Sequence, residues 1–276
     1  MTVEAYAKVN LTLEVFGKRA DGYHALRSVV LPVSLADTLE IEDAPTLTSD
    51  TGYADDLCLK AARVLCPTRG ATIHVTKRIP AGGGLGGGSA DAAATLLALN
   101  DLWGLHHTRA ELAAIGAQVG SDVPSLVLAH DGGPVLMEGR GEQVTPMRSA
   151  GARELHLVLA NPGVFSSTRE VYAACVSRPA DGVSLSQKML TALATGTLAD
   201  IAAALMNDLQ LPAVALHPEI ATTLERLRDA GAEGVLMSGS GSTVFGLVPS
   251  ASAGEELAAR LVSEGLWARH VEGLKS

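Results

Sequence analysis

The chain has 276 residues, 47% of them hydrophobic and 18% charged, with a formal net charge of −9. That length suits one large domain or two closely joined ones, and that composition belongs to globular rather than disordered chains. The acidic balance argues against a nucleic-acid binder built on a basic face, although a few Lys and Arg in a cleft can still hold a small anion.

Cys58, Cys66 and Cys175 are odd in number and lack metal-ligand spacing, which reads as reduced thiols of a cytoplasmic protein. Residues 1–6 carry no signal-peptide pattern, and no apolar run approaches the ~18 residues of a membrane span.

Residues 3–16 alternate apolar with polar side chains and predict one strand, with Lys8 and Asn10 on the same face. A turn-rich loop follows, and in it Tyr23-His24 pairs an aromatic that could stack on a base with an imidazole that could bond its edge. Residues 25–44 continue as strand, with Pro32 suggesting an edge or bend. Residues 55–66 predict a helix closed by Pro67, and 71–77 predict another strand. Lys77 and Arg78 at its end are candidate nucleotide contacts.

The next stretch, Ile79-Pro80-Ala81-Gly82-Gly83-Gly84-Leu85-Gly86-Gly87-Gly88-Ser89-Ala90-Asp91, dominates the sequence. Six glycines in seven positions are costly to order, so they imply backbone that must approach something closely. A glycine turn opening a helix offers unpaired N–H groups and the positive end of the helix dipole, which suits a polyphosphate. Gly82, Gly84 and Gly87 satisfy G-x-G-x-x-G, but a dinucleotide fold wants that turn after the first strand and an acidic residue on the next one. A Walker loop wants Gly-Lys-Ser/Thr, and here Gly87-Gly88-Ser89 has no lysine. Ser89 and Asp91 are placed for the first turn of the helix that follows, whose apolar stripe is Leu96, Leu99 and Trp103.

Thr108-Arg109-Ala110-Glu111 is a capping box starting a helix to about residue 118. Gly120-Ser121-Asp122-Val123-Pro124 starts another, and Asp122 would suit its cap whether or not it has chemistry. Strands are predicted at 134–138 and 154–160, with a domain boundary near 150 marked by Gly151 and Asn161-Pro162-Gly163. Ser166-Ser167-Thr168 caps a helix beside Phe165 and Tyr172, two candidates for base stacking. Helices are predicted at 186–206 and 218–230. A strand, a Gly/Ser turn and a second strand follow at 234–246, then a helix over 251–264 and a last strand near 267–271.

Read together, Ala7-Lys8-Val9-Asn10-Leu11, Asp21-Gly22-Tyr23-His24, Pro80 to Ser89, Gly120 to Pro124, Asn207-Asp208-Leu209 and Met237 to Gly241 resemble, in order and over nearly the whole chain, the motifs of the GHMP kinases. The resemblance implies an α/β (α+β) two-domain fold: a ribosomal-protein-S5-like N-terminal ATP-binding domain over 1–150 and a ferredoxin-like C-terminal domain over 151–276. It also implies ATP and Mg²⁺, and the branch of the family that phosphorylates the 2-hydroxyl of 4-CDP-2-C-methyl-D-erythritol in the non-mevalonate isoprenoid pathway.

Carried over residue by residue, the resemblance makes Lys8 and Asp122 the catalytic pair. Pro80, Ala81, Gly82, Gly83, Gly84, Leu85, Gly86, Gly87, Gly88, Ser89 and Ala90, with Lys77, become the ATP site. Asn10, Tyr23, His24 and either Tyr172 (favoured) or Phe165 become substrate contacts, and Ser89 a metal-ligand candidate. Ser89-Ala90 departs from the family's usual Ser-Ser, and Asp56-Leu57 from its Asn-Leu. No nucleic acid or membrane partner is implied, and the protein is expected as a monomer or weak homodimer. The alternatives are a sibling kinase of homoserine or a mevalonate, a non-catalytic nucleotide-binding regulator and, more distantly, a dehydrogenase.

Overall fold

The computed structural model describes residues 1–20, 22–147, 154–179 and 184–275. Where the sequence predicts one strand over 3–16, the structure has β1 (Thr2–Asn10) and β2 (Thr12–Lys18), bent at Leu11. Both lie antiparallel along one side of the long strand β3 (His24–Asp43). β4 (Thr48–Ser49), α1 (Leu57–Leu65) and β5 (Ala71–Thr76) come next, and Asp56 caps α1 by accepting from the N–H groups of Cys58 and Leu59. α2 (Gly87–Leu102), α3 (Arg109–Gly116) and α4 (Val123–Ala129) follow, with the predicted Thr108/Glu111 capping box formed at α3. β6 (Val135–Gly139) and β7 (Gln143–Pro146) complete this half.

Pro32 does not mark an edge, since β3 is paired on both sides. On the far side from β1, β6 covers residues 26–30 and β5 covers 38–43, and Pro32 falls in the gap between them. Its missing N–H therefore breaks no ladder bond. The C-terminal segment fills that gap, with Leu274 N–H donating to the Pro32 carbonyl at 2.9 Å.

The second half contains β8 (His156–Asn161), α5 (Thr168–Ala174), α6 (Leu185–Thr195), α7 (Leu198–Ala204), β9 (Met206–Asn207), α8 (Gln210–Leu216), α9 (Glu219–Asp229), β10 (Gly234–Met237), β11 (Val244–Val248), α10 (Ala251–Ser263) and β12 (Trp267–Glu272). The single helix predicted over 186–206 is two, because Gly196 ends α6 and Thr197 with Asp200 forms a capping box for α7. α8 and the short strands β4, β7 and β9 carry no periodic signal and are not predicted.

β10-β11-β8-β12 form an antiparallel sheet. One face packs on α9 and α10 through residues such as Val158, Val244, Leu224 and Leu261. The alternate residues, Leu157, Leu159, Phe245 and Leu247, join the main core with Val9, Leu39 and Leu96. Glu14, 2% exposed, accepts from the N–H groups of Leu185 and Ser186 and so ties β2 to the start of α6. The two halves thus share one core and enclose a cleft. Gly151 and the predicted boundary near 150 lie outside the described residues.

Candidate active site

The glycine segment turns from β5 into α2 along the floor of a cleft of about 1160 Å³. Gly82, Gly84 and Gly86 have φ of 64°, 75° and 72°, the left-handed region where a side chain is strained. Ser89 and Asp91 do not cap α2; its N-cap is Gly86 itself, with no side-chain cap bond. The N–H groups of Gly87, Gly88 and Ser89 therefore have no intrahelical acceptor, and all three residues line the cleft. Unpaired backbone N–H groups and the positive end of the α2 dipole thus face the cleft together, the arrangement that suits an anion.

The second Gly/Ser turn is its buttress. Ser238 Oγ donates to the Gly84 carbonyl at 3.0 Å, and Thr243 N–H donates to the Gly83 carbonyl at 3.1 Å. A Cβ on Gly84 would overlap the Ser238 carbonyl oxygen, so the two loops meet backbone to backbone. Asn207 locks the buttress, its Nδ2 donating to the carbonyls of Met237 and Gly239, each at 2.8 Å.

Lys8 enters under this loop from β1. Its N–H donates to the Leu85 carbonyl at 3.0 Å, and its side chain runs 3.2 Å from where a Gly86 Cβ would stand. The ammonium, on a residue 4% exposed, donates to Asn10 Oδ1 at 2.6 Å and stands 3.6 Å from Asp122 Oδ2. Asn10 in turn donates to Ser28 Oγ at 2.8 Å. Asp122 begins α4 yet makes no side-chain cap bond, so its carboxylate is left for the cleft and for Lys8. The capping explanation of Asp122 does not hold.

At the other end of the cleft, Tyr23 is 54% exposed, and the Tyr172 ring lies tilted against the His24 ring with centroids 5.8 Å apart. His24 Nδ1 lies 3.0 Å from the Phe16 carbonyl, which can only accept, so Nδ1 donates there and, in the neutral ring, Nε2 is left as an acceptor. Burial pushes the Tyr172 phenol up, and Asp122 and Cys175 add to the shift. Phe165 is elsewhere: 72% exposed, its ring covers Gly82 of the glycine loop.

Lys77 lines the cleft but is held from behind, 2.5 Å from Asp37 Oδ2 and 2.6 Å from Asp91 Oδ2. The other Asp37 oxygen accepts from the N–H groups of Arg78 and Ile79, which fixes the entry to the loop. Burial works against the Lys77 ammonium, but Asp91 and Asp37 hold it above its ordinary range. Burial pushes the Asp91 carboxyl up to about 7, more than Lys77 pulls it down. A carboxyl raised on folding contributes stability below its unfolded pKa, and that contribution is lost as pH rises through about 7. Thermal scans from pH 5 to 8 should show the native protein losing Tm more steeply than Asp91→Asn; parallel slopes would rule this out.

Ser89 stands beside Gly120, its Oγ 3.8 Å from the position of a Cβ there, and so faces the turn that leads to Asp122. Among the described residues no three His, Cys, Asp or Glu converge on one point. The residues that sequence reasoning missed are Ser28, Asp37 and Arg140. Each is an ordinary strand or turn residue whose partner lies more than ten positions away, so no local spacing marks it.

A GHMP kinase N-terminal domain profile matches residues 56–130, and a GHMP kinase C-terminal profile matches residues 189–265. The chain is 42% identical to a 4-diphosphocytidyl-2-C-methyl-D-erythritol kinase of Symbiobacterium thermophilum, over 97% of this chain and 98% of that one. It is 40% identical to the same enzyme of Ruegeria pomeroyi, over 98% and 99%. A crystal structure of 4-(cytidine 5'-diphospho)-2C-methyl-D-erythritol kinase superposes with a TM-score of 0.82 at 36% identity, covering all of both chains. A mevalonate kinase structure, with a TM-score of 0.69 at 15% identity, shares the fold. With both halves matched and the relatives aligned end to end, the chain belongs to the GHMP kinases, in their 4-diphosphocytidyl-2-C-methyl-D-erythritol kinase family.

Proposed function

We propose that the chain transfers the γ-phosphoryl group of ATP to the 2-hydroxyl of 4-CDP-2-C-methyl-D-erythritol, a step of the non-mevalonate route to isoprenoid precursors. The observation that carries this reading is the Lys8–Asp122 pair, 3.6 Å apart, with Lys8 packed directly beneath the glycine loop. The Tyr23–His24–Tyr172 corner of the same cleft favours a cytidine-bearing acceptor over homoserine or a mevalonate, which have no base to stack.

Phosphoryl transfer is mainly positioning and charge stabilisation around a loose transition state. The N–H groups of Gly87, Gly88 and Ser89 and the α2 dipole hold the phosphates. Asp122 takes the proton of the acceptor hydroxyl as its oxygen bonds to the γ-phosphorus, and the bridging P–O bond breaks with its electron pair leaving on ADP. Lys8 puts positive charge at the transferring group, and Asn10 aims it. Tyr23 and Tyr172 stack the cytosine, while His24 Nε2 accepts from its amino group.

The Ser89 hydroxyl and phosphate oxygens suit Mg²⁺, a hard cation that keeps several waters and takes few protein ligands. When bound it would neutralise charge on the β- and γ-phosphates. The three cysteines, all free thiols, are consistent with a reducing cytoplasmic setting. Among the described residues no helix is long and apolar enough to cross a membrane.

ADP release should be measured with ATP and Mg²⁺ against 4-CDP-2-C-methyl-D-erythritol, homoserine, mevalonate and no acceptor. Turnover with the first alone is the expected result. Turnover with another acceptor instead would discard the cytidine reading. Tyr23→Ala should raise the acceptor KM about tenfold, since stacking on an aromatic is worth ~1–3 kcal/mol per base, with little change in kcat. An unchanged KM would remove Tyr23 from the base site.

A further inference from the structure

Between the reacting end of the cleft and its aromatic corner stands a residue with no role so far. Arg140 sits on the tight turn joining β6 to β7, where Gly139 and Gly141 have φ of 74° and 118°. A Cβ on Gly141 would come within 2.6 Å of the Ser121 carbonyl, so this turn is pressed against the residue that precedes Asp122. In the other direction the Arg140 guanidinium lies over the Tyr23 ring, 5.3 Å from its centroid. The turn and its Arg140 side chain together thus span the interval from the residue before Asp122 to Tyr23 along the cleft wall.

The turn also keeps that cation available. Glu138 and Glu142, each two positions away, are the carboxylates nearest in sequence, and both are already engaged, Glu138 with Arg27 at 2.9 Å and Glu142 with this turn. Glu142 Oε2 accepts from the Arg140 backbone N–H at 2.6 Å, and its Oε1 pairs with Arg19 at 3.1 Å. Desolvation works against the Glu142 carboxylate, but the Arg140 N–H and Arg19 hold it below its ordinary range. The Arg140 guanidinium itself pairs with no carboxylate among the described residues, whereas Lys8 and Lys77, also in the cleft, are each held by carboxylates. A guanidinium that pairs with no carboxylate among the described residues, half-buried and set over an aromatic ring in a chain of net charge −9, is arranged to meet an anion from outside.

We propose that Arg140 recognises the diphosphate of the acceptor and so sets the distance between its base and its reacting hydroxyl. This rests on the acceptor reading above, in which a diphosphate joins the two ends of the molecule. The planar guanidinium takes two phosphate oxygens while its face stays on Tyr23, so base stacking and phosphate binding share one wall.

Three proteins, the native chain, Arg140→Ala and Arg140→Lys, would be compared in steady-state turnover of 4-CDP-2-C-methyl-D-erythritol and in calorimetric binding of CDP and of cytidine. A charge-assisted contact predicts an acceptor KM about 10- to 100-fold higher in Arg140→Ala, with the KM for ATP unchanged and kcat within about threefold. Arg140→Lys should recover part of the loss. The decisive readout is the ratio of CDP to cytidine affinity. If Arg140 reads phosphate, the ratio collapses in Arg140→Ala while cytidine binding stays near native. If Arg140 only steadies the Tyr23 ring, both ligands weaken together, the ratio holds and the proposal is overturned. Native turnover with no change of KM or ratio in Arg140→Ala overturns it too. A native protein that neither phosphorylates the acceptor nor binds CDP overturns the acceptor reading itself, a separate result.

Discussion

Asp122→Ala should lower kcat about 10²- to 10⁴-fold, the usual span for loss of a positioned proton acceptor, with the acceptor KM changed only a few-fold. Its carboxylate is one-third exposed and makes no cap bond, so α4 loses no side-chain hydrogen bond at its start. Removing it leaves the Lys8 ammonium with Asn10 Oδ1 as partner, so the buried cation keeps a hydrogen bond. Stability should therefore stay near native, and the loss should appear in turnover. Single-turnover measurement at saturating acceptor and ATP checks this directly. Near-native turnover would remove Asp122 from the chemistry and leave it a surface residue at a helix start.

The second large effect is expected at Gly84→Ala, and here the loss should be of structure at the loop. Left-handed backbone costs a side chain about 1–2 kcal/mol, and forcing atoms into a packed region costs a further ~1–3 kcal/mol. The new methyl would meet the Ser238 carbonyl and the backbone of Gly241, neither of which can swing aside as a flexible side chain would. Either the loop lifts from its buttress or the Ser238–Thr243 turn shifts, and both misplace the N–H groups at the start of α2. ATP should no longer saturate, and Tm should drop by several degrees. Gly163→Ala is the matched control: its φ is 78°, but a Cβ there meets nothing within 4 Å, so it carries the backbone cost alone. Equal losses from the two would show that the contact with the second turn does not matter.

Much of the site was legible because its chemistry sits in runs of adjacent residues. Six glycines between a strand and a helix can be read from spacing alone, and so can two polar side chains two apart on a strand. Even so, reading Asp122 needed more than its neighbourhood. Its position at a helix start is what a cap would look like, and only the absence of a cap bond and the 3.6 Å approach of Lys8 separate the two. Lys77 shows the reverse. It stands next to the loop in sequence and invites a phosphate role, yet Asp37, forty positions back, and Asp91, one helical turn into α2, engage its ammonium.

By itself the sequence determined most of the element types, the glycine loop and the resemblance that leads to the kinase family, because these rest on short-range periodicity and contiguous motifs. Tertiary structure alone decided which strands β3 joins and that the turn after β10 supports the glycine loop, whereas the break in the helix over 186–206 rests on the local Gly196 stop and the Thr197–Asp200 capping box. Tertiary structure also decided which of two aromatics lies by His24: Tyr172, on α5, is carried to that ring, while Phe165, seven residues earlier, is left over Gly82. The physical reason is common to all that tertiary structure decided. Each depends on backbone hydrogen bonds or close contacts between segments far apart in the chain, and such pairings leave no periodic trace in either segment.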